Sequence, residues 1–278
     1  MKKLMLSFLL CGTVAVSGFS QTYRELGELS VWAMEHDSLA LAETYIRQAL
    51  ALDPANAHNA LLFSNLGTIQ RRQGNAELAL ESYTLALNIA PRAVPILMNR
   101  AALYLESGKS EPARVDYSLV LDLEKDNQEA LLMRAYIYMQ QRNYKFARAD
   151  YEHLLKLAPQ SYNGRLGMAT LEQKERKYEA ALVILNGMLA EESEDAVRLA
   201  VLYVARAGIE LDMLHEDLAL VDLETAVRLD PSQPEAYLKR GQIYLSQKKK
   251  GLAKRDFEKA AALGVPQAEV RELLRQCR

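Results

Sequence analysis

The sequence predicts an all-α solenoid of seven tandem helix hairpins over residues 21–266, closed by a capping helix at 267–278. Three observations carry this. Ala and Leu are abundant while aromatic residues make up 7%, a composition that favours helix over sheet. A block of small and large apolar residues recurs along most of the chain. The residues that close successive blocks are Pro54, Pro91, Lys125, Pro159, Ser193, Pro231 and Val265, spaced 37, 34, 34, 34, 38 and 34 apart. A period of 34 held that long marks a repeat array.

The clearest block runs from Phe63 to Pro91. Phe63, Leu66, Gly67 and Gln70 place one stripe on a first helix, Gly74 makes a turn, and Ala79, Tyr83 and Ala86 place a second stripe on the next helix. Small residues let the two helices approach and large ones fill the space beside them. This helix-turn-helix unit resembles the tetratricopeptide repeat (TPR). The resemblance covers essentially all of residues 21–278 and implies a right-handed superhelical solenoid.

In order, the repeats are expected at about 23–56, 60–93, 94–127, 128–161, 162–195, 200–233 and 234–266. The first is the most degenerate, marked by Leu26, Leu29, Ala42, Ile46 and Ala49, and three extra residues follow it. The third (Leu97, Ala101, Tyr104, Gly108, Ala113, Tyr117) and fourth (Leu131, Ala135, Tyr138, Ala147, Tyr151) keep the pattern. The fifth has Leu185 at the place of Tyr or Phe and Ser193 at the closing Pro. Four extra residues precede the sixth, so the join from Ser193 to Leu199 is where curvature is expected to change. The seventh returns to pattern with Tyr237, Gly241, Tyr244, Ala253, Phe257 and Ala260. Pro95 and Pro234 fall in first turns of helices, where no amide bond is lost. The last helix turns Val270, Leu273 and Leu274 inward and its charges outward, the polar end a solenoid needs.

Comparing repeats predicts structural ion pairs. Arg100, Arg134, Arg206 and Arg240 stand three residues after the large residue of a first helix, and Asp116, Asp150, Asp222 and Asp256 follow sixteen residues later. The other three repeats have neither, pairing Leu29 with Tyr45, Leu66 with Ser82, and Met168 with Ile184. Residues that come and go together point to a bond between the two helices of one hairpin.

Residues 1–20 read as a signal peptide. Lys2 and Lys3 precede an apolar run from Leu4 to about Val16, and Gly18 and Ser20 fill the small cleavage positions before Gln21. The run is short for a membrane span, and Leu10 before Cys11 does not suit a lipobox. The expectation is an exported protein of the periplasm or cell envelope of a Gram-negative bacterium, with no membrane span after cleavage. Cleavage leaves Cys277 as the single cysteine, so packing rather than disulfides holds the fold.

The chemistry of an enzyme is not visible. A net charge of −2 gives no reason to expect nucleic acid. His36, His58, His153 and His215 lack metal-ligand spacing, so no metal or cofactor is expected. Gly108-Lys109-Ser110 lacks the first glycine of a phosphate loop and falls between two helices.

In the TPR family the first helices line a concave face where partners usually bind. The resemblance therefore implies a non-enzymatic scaffold for a peptide or partner helix. The candidate contacts are Asn65, Arg72, Met98, Asn99, Met133, Tyr136, Met139 and Thr170. Asn65 and Asn99 occupy one place in adjacent repeats, and an amide can both donate to and accept from a peptide group. Met98, Leu132, Met133, Tyr136 and Met139 form an adaptable apolar cluster, which padding between neighbouring helices would explain equally well. The family's carboxylate clamp is poorly met, since Ser64 and Met98 stand at the place of one lysine and Pro95 and Glu129 at another. A self-assembling structural subunit, joined through repeat ends or Cys277, is the alternative.

Overall fold

The computed structural model describes residues 21–191 and 195–278. The expected signal peptide, and Ser193 at the expected end of repeat five, lie outside the described residues. Among the described residues there are fifteen α-helices and no strand. The chain divides into two compact units between Ser107 and Gly108.

In the first unit α1 (Tyr23–Glu35) pairs with α2 (Leu39–Leu52), and α3 (Asn59–Arg72) pairs with α4 (Ala76–Ile89). Helix α5 (Val94–Glu106) packs on α3 and α4. The second unit opens with α6 (Ser110–Leu123). Four hairpins follow: α7 (Gln128–Gln140) with α8 (Tyr144–Leu157), α9 (Tyr162–Lys174) with α10 (Tyr178–Ala190), α11 (Ala196–Asp212) with α12 (Glu216–Leu229), and α13 (Pro234–Ser246) with α14 (Lys250–Ala262). Helix α15 (Gln267–Gln276) lies against α14.

The second helices explain the period. Ala42, Ala79, Ala113, Ala147, Ala181, Ala219 and Ala253 are fully buried, one per repeat, where only a methyl group fits between backbones. Four residues on, Ile46, Tyr83, Tyr117, Tyr151, Leu185, Leu223 and Phe257 fill the adjoining space and are at most 3% exposed. Burial of a side chain of that size stabilises by about 1.5–3 kcal/mol. Helix starts are set by local chemistry. Thr22 and Glu25 form a capping box, while Asn127, Ser161 and Asp195 accept amide hydrogen bonds from the first turns of α7, α9 and α11.

The turn inside each hairpin is left-handed at one fixed position. Gly74 and Gly108 hold it at φ 82° and 70°, but Asp37, Arg142, Arg176, Leu214 and Lys248 hold the same position at φ 55° to 66°. A side chain in this region costs about 1–2 kcal/mol, so the hairpin geometry overrides the residue's own preference in five turns of seven.

The two insertions are absorbed differently. After Pro54, Asn59 is fully buried and its side-chain amide donates to the carbonyls of Asp53 and Pro54 at 2.8 and 3.0 Å, fixing a turn. Before repeat six the sequence places the first helix from residue 200, yet α11 begins at Ala196 and has 17 residues. The four extra residues, with no Gly or Pro among them, add one turn of helix. At the C-terminus Val270 is fully buried against Ala253 and Phe257, with Leu273, Leu274 and Cys277 beside it. No helix among the described residues is long and apolar enough to cross a membrane.

Candidate functional site

Within the second unit the first helices stand side by side, α7 beside α9, α9 beside α11, and α11 beside α13. A cavity of about 710 Å³ opens over α7 and α9. Met133, Tyr136, Met139 and Thr170 all line it, with Leu132 and Leu166. Four of the eight sequence candidates therefore meet at one site. Tyr136 is 48% exposed and the methionines are half-buried, so the wall is apolar and partly open. Leu132 and Met139 also pack against the core around Ala135 and Ala147. Padding and lining are thus one set of atoms seen from two sides.

The other four candidates lie in the first unit. Asn65 lines a separate hollow of about 670 Å³ beside Val31, Trp32 and Leu61, all three exposed. Trp32 stacks on His36 with ring centroids 4.3 Å apart. Met98 and Asn99 are half-buried on α5. Arg72 donates to Asp37 Oδ1 at 2.6 Å and so joins two adjacent repeats.

Five residues that sequence reasoning missed, Arg142, Tyr144, Tyr151, Asn163 and Gly167, complete the cavity in the second unit. Tyr151 reaches it from the core, Gly167 forms part of its wall, and Arg142 stands at its edge. A Cβ on Gly167 would lie 2.5 Å from the Tyr151 ring and 2.7 Å from its hydroxyl. Gly167 occupies the column that holds Asn65, Asn99 and Met133 in earlier repeats, and that missing side chain was the available signal. Tyr83 packs instead on Gly67 of its own repeat, where the fourth repeat has Ala135. The Tyr83 hydroxyl also pairs with Thr68 at 3.0 Å. Tyr136 takes the place of Thr68 in the fourth repeat, and the Tyr151 hydroxyl has no hydrogen-bond partner among the described residues. Burial pushes the Tyr151 phenol up to about 12, which keeps it neutral and able to donate.

The arginine column is structural. Arg134, Arg206 and Arg240 grip Asp150, Asp222 and Asp256 through two bonds each, at 2.6–2.8 Å. These aspartates are nearly buried, and the hydrogen bonds to them hold each arginine pKa above its ordinary value. The remaining guanidinium nitrogen, Nη1, of two arginines donates back to the preceding repeat, Arg134 to Ser118 at 3.3 Å and Arg206 to Asn186 at 2.7 Å. Arg100 likewise donates to Thr84 at 3.3 Å. Asp116 lies across the boundary between the two units and is buried. At repeat five, which lacks the pair, Arg148 of α8 in repeat four bonds Glu172 of α9 and Glu175 just after it, at 2.7 and 2.8 Å.

No group of three or more His, Cys, Asp or Glu among the described residues could hold a metal ion. His153 faces Asp126 and His215 faces Glu210, each at 2.8 Å, as isolated pairs. The Cys277 thiol donates to the Leu273 carbonyl at 3.3 Å, and burial pushes its pKa up, away from thiolate character.

Family models of the tetratricopeptide repeat match residues 61–92, 128–161 and 234–263, and a TPR repeat model matches 217–248. A search of curated protein sequences returned no match. Among solved structures, the chain is similar to a tetratricopeptide repeat protein from Parabacteroides merdae ATCC 43184, at 36% identity and a TM-score of 0.80. That match covers 92% of this chain and 98% of the other. The fold is also shared with the Cut9–Hcn1 hetero-tetramer structure of the APC/C, at 12% identity and a TM-score of 0.64 over 95% of this chain and 57% of that one. A Pseudomonas aeruginosa pilF structure aligns at 20% identity and a TM-score of 0.59 over 77% of this chain and 94% of that one. The chain belongs to the tetratricopeptide repeat family.

Proposed function

We propose that the protein is a non-enzymatic scaffold that holds a peptide segment or a helix of a protein partner along its first helices, in the cell envelope after export. Tetratricopeptide repeats generally mediate protein–protein interactions and typically act without catalysis. The observation that carries the reading is the cavity over α7 and α9, whose methionine and tyrosine wall can remould around an apolar partner surface. Support for export comes from Lys2, Lys3, the apolar run and the small residues before Gln21. A mature N-terminus at Gln21, read by mass spectrometry, would fit export, and an intact Met1 would count against it.

The test is crosslinking and affinity capture from the native cell envelope, with wild type beside Met133→Glu/Tyr136→Glu. Neither residue is fully buried, so helicity by circular dichroism should be retained while capture of the partner is lost. Unchanged capture overturns the assignment of this face, and collapse of helicity would make these residues core. Self-crosslinked species alone would favour the self-assembling subunit.

A further inference from the structure

We infer that the cavity over α7 and α9 is a specificity pocket for an acidic peptide: one large apolar side chain of the partner enters it, with carboxylates on the flanking residues. The inference rests on the peptide-binding reading above and gives that site its substrate chemistry. Three features point the same way. The wall formed by Met133, Met139, Leu132 and Leu166 is apolar, and about 710 Å³ accommodates a bulky side chain with adjoining backbone.

The edge is cationic. Arg142 and Lys174 line the cavity, and neither side chain has a hydrogen bond or ion pair among the described residues. No carboxylate lines the cavity to neutralise them. This sets them apart from Arg134 and Arg148, close by on α7 and α8, which are held by Asp150 and by Glu172 and Glu175. Arg142 is presented from the left-handed turn after α7, and Lys174 from the last turn of α9, so the two cations come from consecutive repeats. A segment crossing from one repeat to the next would meet both. Charges placed like this steer an anionic partner and reject a cationic one.

The third feature is Tyr151. The residue is 97% buried, and its hydroxyl, which has no hydrogen-bond partner among the described residues, ends at the cavity against the bare Cα of Gly167. The equivalent hydroxyl of Tyr83 is satisfied by Thr68. A peptide carbonyl or carboxylate in the cavity would accept from Tyr151, which makes the pocket selective for a backbone or acid as well as for apolar bulk.

The test is fluorescence anisotropy with nine-residue, end-blocked peptides whose central residue is Phe, Leu or Ser and whose flanks are Glu, Gln or Lys. Wild type should bind the Phe- and Leu-centred Glu peptides best, about tenfold better than the Gln set, and should not bind the Lys set. Arg142→Glu/Lys174→Glu, both surface changes, should reverse the flank preference. Tyr151→Phe should weaken the Glu peptides about three- to tenfold with unchanged thermal stability below pH 9. Equal binding of all three flanks, or a preference unmoved by the charge reversal, overturns the inference. If that happens while envelope capture still depends on Met133 and Tyr136, the peptide-binding reading stands and only the acidic specificity falls. If capture is also insensitive to Met133 and Tyr136, both fall.

Discussion

Replacing Leu214 by Gly should stabilise the protein, and replacing Gly74 by Ala should destabilise it by a similar amount. Both residues occupy the left-handed turn position, at φ 66° and 82°. Leu214 is 86% exposed and loses little packing on removal. A Cβ on Gly74 meets nothing within 4 Å, so the alanine there adds backbone strain without a clash. Left-handed φ costs an L-residue about 1–2 kcal/mol. The greater freedom of glycine in the unfolded chain returns about 0.4–1 kcal/mol of that. The net expectation is about 0.5–1 kcal/mol, favourable for Leu214→Gly and unfavourable for Gly74→Ala. In a repeat array such changes stay local, so native-state hydrogen exchange is the assay. Amides of α11 and α12 should exchange about two- to fivefold more slowly in Leu214→Gly, and those of α3 and α4 faster by the same factor in Gly74→Ala. Faster exchange in Leu214→Gly would refute the reasoning, because the side chain would then be contributing more than the turn strain removes.

Three further outcomes are expected. Asp222→Ala should cost about 2–4 kcal/mol in urea unfolding, because loss of the buried carboxylate leaves Arg206 uncompensated, whereas Arg206→Met/Asp222→Ile, which installs the pair of repeat five, should fall within about 1 kcal/mol of wild type. Gly167→Ala should cost about 1–3 kcal/mol by driving a methyl group into the Tyr151 ring, and Tyr151→Leu, the residue type of Leu185 and Leu223, should recover part of the melting temperature. Tyr151 titrates near 12 in the folded protein and about 10 when unfolded, so above pH 10 the unfolded chain holds fewer protons and stability falls as pH rises towards 12. A melting-temperature profile over pH 9–12 should lose that component in Tyr151→Phe; identical profiles would show that the phenol ionises freely in the fold.

The repeat register was legible because one alanine column and one column of large apolar or aromatic residues recur at a fixed spacing, and both are buried in every repeat. The ion pairs were legible for the same reason, since Arg134 and Asp150 vanish together in repeat five. The turns were only half legible: glycine announces the left-handed position at Gly74 and Gly108, whereas Leu214 and Arg142 adopt it under tertiary constraint. Met133, Tyr136 and Met139 could be placed on one helix face from spacing alone. Tyr151 could not, because its column reads as core, and whether its hydroxyl finds a partner depends on the unlike neighbours Tyr136 and Gly167. The length of α11 was hidden too, since four inserted residues look alike whether they loop out or continue a helix.

The arginines that reach back to Thr84, Ser118 and Asn186 bear on how the chain finds its fold. Each joins residues 16 to 20 positions apart, and among the described side-chain bonds that between Gln173 and Asp212 spans 39. Contacts confined to about one repeat in sequence give a low contact order and small loop-closure penalties. Folding can then start at any well-made hairpin and spread outward in both directions. The same locality lets repeats be gained or lost over evolution without rewiring distant parts of the molecule. A repeat such as the fifth can therefore carry Met168 and Ile184 in place of the ion pair and border a cavity, while repeats four and six carry the pair.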